Sequence, residues 1–129
     1  MKIRLRIPLK LPYKNELTPA PGPRTFRVFM SVKGKWKASI PDALPEQRAL
    51  GPRRLTIVRI MGPRERPFDT GNVYYAAAAI IDIVAKKGWL VDDTPRLLEL
   101  EKPVQRRQAP GDMPAPCTYI DIEDVEAAT

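Results

Sequence analysis

Apolar and charged residues alternate from the second residue onward. In Lys2–Leu9 the residues Ile3, Leu5, Ile7 and Leu9 interleave with Lys2, Arg4 and Arg6, the period-two signature of a strand with one buried and one basic face. Arg53–Met61 (RRLTIVRIM) is a second strand, rich in β-branched residues, and Arg53, Arg54 and Arg59 are assigned to its solvated face. The period changes at Asn72–Lys87. There Val73, Ala77, Ile80, Ile81 and Val84 fall on one stripe of a helix, with four consecutive alanines suited to close packing on a sheet. Asn72 or Thr70 can cap this helix, Lys86 and Lys87 suit its negative end, and Gly88 stops it.

The remaining segments carry weaker signals. Thr25–Val32 and Lys35–Ser39 read as a hairpin turning near Lys33-Gly34, with Phe26, Val28 and Met30 on one face. Pro41–Leu50 reads as a short helix between Ser39 and Gly51-Pro52, and Arg96–Glu101 and Thr118–Glu123 as strands. Proline-rich stretches at about 11–24 and 103–116 read as flexible loops, the second not fully ordered. Together these elements predict a single α+β (mixed α/β) domain over residues 1–129, a small mixed sheet flanked by helices. Fifteen prolines among 129 residues keep its elements short, because proline is excluded from helix interiors and central strands.

Composition narrows the chemistry. The chain has no histidine and one cysteine, which removes His general bases, Ser-His-Asp triads and Cys- or His-ligated zinc. A metal would have to be a hard, oxygen-bound ion such as Mg²⁺ or Mn²⁺. Cys117 reads as a small reduced hydrophobe, since a lone cysteine cannot form an internal disulfide. The alternating basic start is unlike a signal peptide and no apolar run reaches membrane-spanning length, so a cytosolic protein without membrane contact is expected. The net charge of +7 favours an anionic partner, of which nucleic acid is the commonest.

The order of features between Leu55 and Leu98 resembles that of the RusA-type Holliday junction resolvases, small phage and prophage endonucleases that cut four-way DNA junctions. The family pattern is a strand, a basic loop, D-x-D-N at a helix start, a helix lysine, an aspartate, a Gly-apolar pair and D-D-S/T. Here it becomes Arg64–Arg66, Asp69-Thr70-Gly71-Asn72, Ala78, Asp82, Gly88-Trp89-Leu90 and Asp92-Asp93-Thr94-Pro95. The resemblance implies a homodimer acting on branched DNA, with Asp69 and Asp93 as catalytic acids and Asp69, Asp92 and Asp93 as ligands of Mg²⁺ or Mn²⁺. Arg64, Arg66, Arg106, Arg107 and Lys14 would contact DNA. Two departures stand out: Gly71 replaces the second acid of the motif and Ala78 the helix lysine. They keep two alternatives open, a catalytically silent DNA-binding homodimer and a non-enzymatic phage structural or interaction protein.

Simpler roles exist for the same residues. Asp69 can stabilise a helix N-terminus, Asp92-Asp93-Thr94-Pro95 is an ordinary turn sequence, and Asp82 can pair with Lys86 one helical turn on. Lys2, Arg4 and Arg6 can face Asp121 and Glu123 if the first and last strands pair. Tyr74, Tyr75 and Trp89 are either base-stacking surfaces or parts of the core or a dimer interface.

Overall fold

The computed structural model describes residues 1–12 and 23–125, and Lys14 lies outside them. Five strands form one mixed sheet: β1 (Lys2–Ile7), β2 (Arg53–Met61), β3 (Leu98–Leu100), β4 (Val104–Arg107) and β5 (Cys117–Asp124). Two helices of 17 residues each, α1 (Pro23–Ser39) and α2 (Thr70–Lys86), accompany it. The order is β1-β5-β2-β3, with β4 also on β2. Strand β5 runs antiparallel to both neighbours, whereas β3 and β4 share the far edge of β2 and run parallel to it, β3 at its start and β4 at its end. The α+β expectation holds.

The period-two pattern explains the layering. Leu5, Ile7, Leu55, Ile57, Ile120 and Ile122 point to one sheet face, where Val73, Ala76, Ala77, Ile80, Ile81 and Val84 of α2 cover them. The expected stripe of α2 is buried at every position, and two of the four alanines, Ala76 and Ala77, are fully enclosed. Trp89, just past the helix, is also core, its indole N–H donating to Pro41 O at 2.7 Å. It is therefore not a base-stacking surface, whereas Tyr74 and Tyr75 remain exposed.

The opposite sheet face carries charge. Arg4 grips Asp121 with two hydrogen bonds of 2.7 and 2.8 Å, and Lys2 lies 3.8 Å from Glu123, as expected from pairing of the first and last strands. Arg54 sits within ion-pair distance of Glu99, Glu101 and Glu123. Further along, Val58, Ile60, Cys117 and Tyr119 form a small second apolar cluster with Met113 and Ala115 packed on it.

Three expectations are corrected. The hairpin at Thr25–Ser39 is the helix α1, whose Trp36, together with Ile40 just beyond it, reaches the core. Within Pro41–Leu50 only a single 3-10 turn forms, at Pro45–Gln47, and Ser39 is the last residue of α1. The stretch 103–116 is not a featureless loop, because Val104–Arg107 is strand β4. Among the described residues no helix is long and apolar enough to cross a membrane.

Candidate nucleic-acid interface

Strand β2 sets the position of the basic loop. Its odd-numbered residues face α2, so Arg53 and Arg59 share a face with Leu55 and Ile57 and are 3% and 2% exposed, not solvated as expected. Both are anchored. Arg53 donates to Trp89 O, Gln47 O and Asp124 Oδ1 at 2.7–2.9 Å, tying together the loop after α2, the 3-10 turn and β5.

Arg59 organises the path into α2. Its guanidinium stacks 3.6 Å from the centre of the Phe68 ring. It donates to Arg66 O at 2.9 Å, to Gln105 Oε1 at 2.8 Å and to Glu65 Oε2 at 3.0 Å. Gln105 of β4 both accepts from Phe68 N and donates to Phe68 O, so its side-chain amide serves the loop as a strand partner would. Glu65 closes the turn by accepting from Gly62 N at 2.7 Å, and Arg107 donates to Gly62 O. A buried cation satisfied by this many acceptors holds its surroundings in one geometry.

This scaffold turns Arg64 and Arg66 outward. Both are exposed, and neither side chain has a partner among the described residues. Arg107, also exposed, borders a cleft of about 470 Å³ formed with Met61, Pro63 and Gln108–Asp112. Asp69 follows as the N-cap of α2, its Oδ1 accepting from Asn72 N at 2.8 Å and its Oδ2 from Asn72 Nδ2 at 3.1 Å. The cap is thus Asp69 itself, not Thr70 or Asn72. Arg64, Arg66, Arg107 and Asp69 meet at one pole of the sheet.

Arg106 points the other way along β4. It forms a two-pronged ion pair with Asp112, at 2.6 and 3.1 Å, while Asp112 also accepts from Ala109 N and Tyr119 Oη. The guanidinium holds the Asp112 carboxyl well below the usual carboxylate range, helped by the Ala109 N–H and the Tyr119 hydroxyl. The charge of Arg106 is met inside the protein, and both Arg106 and Arg107 lie on a strand, not on a floppy loop.

Asp92 and Asp93 occupy the opposite pole. Both are exposed, and Asp92 Oδ1 accepts from Asp93 N at 2.8 Å, the local bond of an ordinary turn. Thr94 O then accepts from Leu97 N and Leu98 N at 2.9 Å, leading into β3 beside the start of β2. Between Asp69 and this turn runs all of α2, whose 17 residues span about 25 Å at 1.5 Å per residue. Carboxylates shared by one Mg²⁺ must each approach it to roughly 2 Å, so these acids do not fit one metal site within a single chain. No group of three or more acids or cysteines able to hold a metal exists among the described residues. Asp82 pairs with Lys86 at 3.0 Å, as its spacing suggested.

Sequence reasoning missed Arg59 and Gln105 as organisers of the loop. The signal was present for Arg59, because the alternation that buries Leu55 and Ile57 continues two residues on. For Gln105 there was none, since its role depends on a parallel pairing between distant segments. No protein-family model and no curated protein sequence matches this chain.

Proposed function

We propose that the protein binds branched DNA on a RusA-like fold, as a homodimer. The observation that carries this reading is the pole at the head of α2. Arg64 and Arg66 stand exposed and unpaired beside Asp69, on a loop fixed from behind by Arg59 and Gln105. Outward guanidiniums on a rigid backbone suit phosphate contacts, because little side-chain and loop order is lost on binding.

A second reading, a Mg²⁺- or Mn²⁺-dependent resolvase, draws on the exposure of Asp69 next to those arginines and of Asp92 and Asp93 at the far pole. Since one chain keeps these acids a helix length apart, cutting would need Asp69 of one copy brought beside Asp92 and Asp93 of a second. The loss of an acid at Gly71 and of a cation at Ala78 weighs toward binding without cutting.

The test is incubation of the protein with labelled four-way junction and matched duplex, with Mg²⁺, with Mn²⁺ and with EDTA, beside Asp69→Asn. Junction binding in EDTA that exceeds duplex binding is the expected result. Symmetric, metal-dependent nicks lost in Asp69→Asn would promote the resolvase reading. Absence of binding to either DNA at moderate ionic strength would retire both.

A further inference from the structure

We infer that the exposed face of α1 is the main phosphate-contacting surface of this protein, an inference that rests on the nucleic-acid reading above. In sequence, Leu17–Pro41 holds five basic residues and no acid. Of these, Arg27, Lys35 and Lys37 are exposed on α1 and Lys33 is half-buried. Elsewhere about half of the described cations are offset by carboxylates, with Arg64 and Arg66 not among them. Among the described residues Lys2, Arg4, Arg53, Arg54, Arg59, Lys86, Lys87 and Arg106 all have carboxylate partners. None of the described cations of α1 has one, and Lys33 lies over the Phe29 ring at 5.7 Å, which leaves its charge unneutralised.

Geometry makes the face usable. Trp36 turns into the core and Phe29 and Val32 lie half-buried, while Arg27, Ser31, Gly34, Lys35, Lys37 and Ala38 are exposed. Arg27, Ser31, Gly34 and Ala38 recur at helical spacing and form one ridge, flanked by Lys35 and Lys37. Small side chains along that ridge let a sugar-phosphate backbone come close, and the flanking lysines then reach its oxygens. From Arg27 to Lys37 the helix advances about 15 Å at 1.5 Å per residue. That spans roughly four phosphates of one strand at its 3.4 Å axial spacing.

The charge also separates this occupant from others. A second copy presenting the same face would bring like charges together. A helix lying in an anionic membrane needs a continuous apolar face, whereas the exposed Val28 and Met30 stand on opposite flanks of the ridge and form no such face.

The 129-residue protein carrying Arg27→Gln, Lys35→Gln and Lys37→Gln tests the assignment. Glutamine keeps helix propensity, and all three positions are exposed, so the thermal midpoint should stay unchanged. Binding to labelled four-way junction is measured in EDTA across a salt series, beside wild type and Arg64→Gln/Arg66→Gln. The triple variant should raise Kd at least about tenfold near 0.1 M salt and flatten the slope of log K against log salt by about 2 to 3, near 0.9 per lost phosphate contact. Wild-type binding with an unaltered Kd and slope in the triple variant overturns the inference. Wild type that binds no DNA overturns the proposed function first. Loss of binding to phosphatidylserine vesicles in the variant, with DNA binding intact, would assign the face to a membrane and overturn the inference as well.

Discussion

Helices α1 and α2 have the same length and opposite fates. Helix α2 buries Val73, Ala76, Ala77, Ile80, Ile81, Ile83 and Val84 against the sheet. Helix α1 turns Trp36 inward and leaves Val28 and Met30 42% and 51% exposed along with Lys35 and Lys37. The apolar stripe decides which becomes architecture and which becomes surface, because most helix stability in a folded protein comes from packing an apolar face. Helix α2 is also fastened at its ends, by Asp69 at the start and by Gly88 at φ 91° after its close, where a left-handed residue is least strained as glycine. A helix bound this way can position neighbours, while one held by few residues can present charge without its substitution disturbing the core.

The largest contrast between the two is in packing. Ile80→Ala on α2 should lower unfolding free energy by about 2–5 kcal/mol through lost burial and the cavity left behind. Val28→Ala on α1 should stay within about 0.5 kcal/mol. Urea denaturation followed by far-ultraviolet circular dichroism measures both, and equal losses would erase the distinction.

Backbone and capping effects come next. Gly34 lies inside α1 with open space where a Cβ would stand, so Gly34→Ala should stabilise the protein by about 0.8–1 kcal/mol. At the head of α2, Asp69→Ala should cost about 1 kcal/mol, whereas Asp69→Asn, which keeps a cap acceptor, should cost only a few tenths. That pair of variants separates a cap from any role in cutting, since only cutting requires the charge.

Acid is the mildest probe, because it touches the sheet's ion pairs and neither helix core. Hydrogen bonds from Arg106, Arg54 and Arg53 respectively hold the carboxyls of Asp112, Glu123 and Asp124 below their ordinary values. Groups depressed in the folded state lend stability that is fully present above the unfolded carboxylate range near pH 4. It is lost as pH falls from there toward the folded values. Thermal midpoints should therefore drop below about pH 4, and Asp112→Asn should flatten that acid limb. An unchanged limb would show that the Arg106–Asp112 pair contributes nothing to the titration.

Strongly periodic segments were legible: β1, β2, β5 and α2 follow from alternation or a helical stripe, and the Lys2, Arg4 and Asp82 pairings follow from register or spacing. Helix α1 was not, because Phe26, Val28 and Met30 alternate like a strand, Gly34 interrupts the helical pattern, and the deciding contact of Trp36 is tertiary. Strand β4 was hidden by its polar residues and by Pro103, since an edge strand made by parallel pairing to Val58–Met61 leaves no local trace. The candidate site was legible in half. The basic loop and Asp69 lie together, but the distance between Asp69 and Asp92-Asp93 follows from the crossover, which returns the chain to the start of β2.

Cys117 adds an internal clock. It is fully buried beside Val58, Ile60 and Tyr119, and burial pushes its thiol pKa up, so a soluble disulfide reagent meets neither an accessible nor an ionised sulfur. Labelling must wait for an opening, and its rate times the opening that admits the reagent. Because this cluster lies on the sheet face away from α2, the clock reads release of the 108–116 cover if labelling outpaces unfolding. It reads loss of the whole sheet if the two rates coincide.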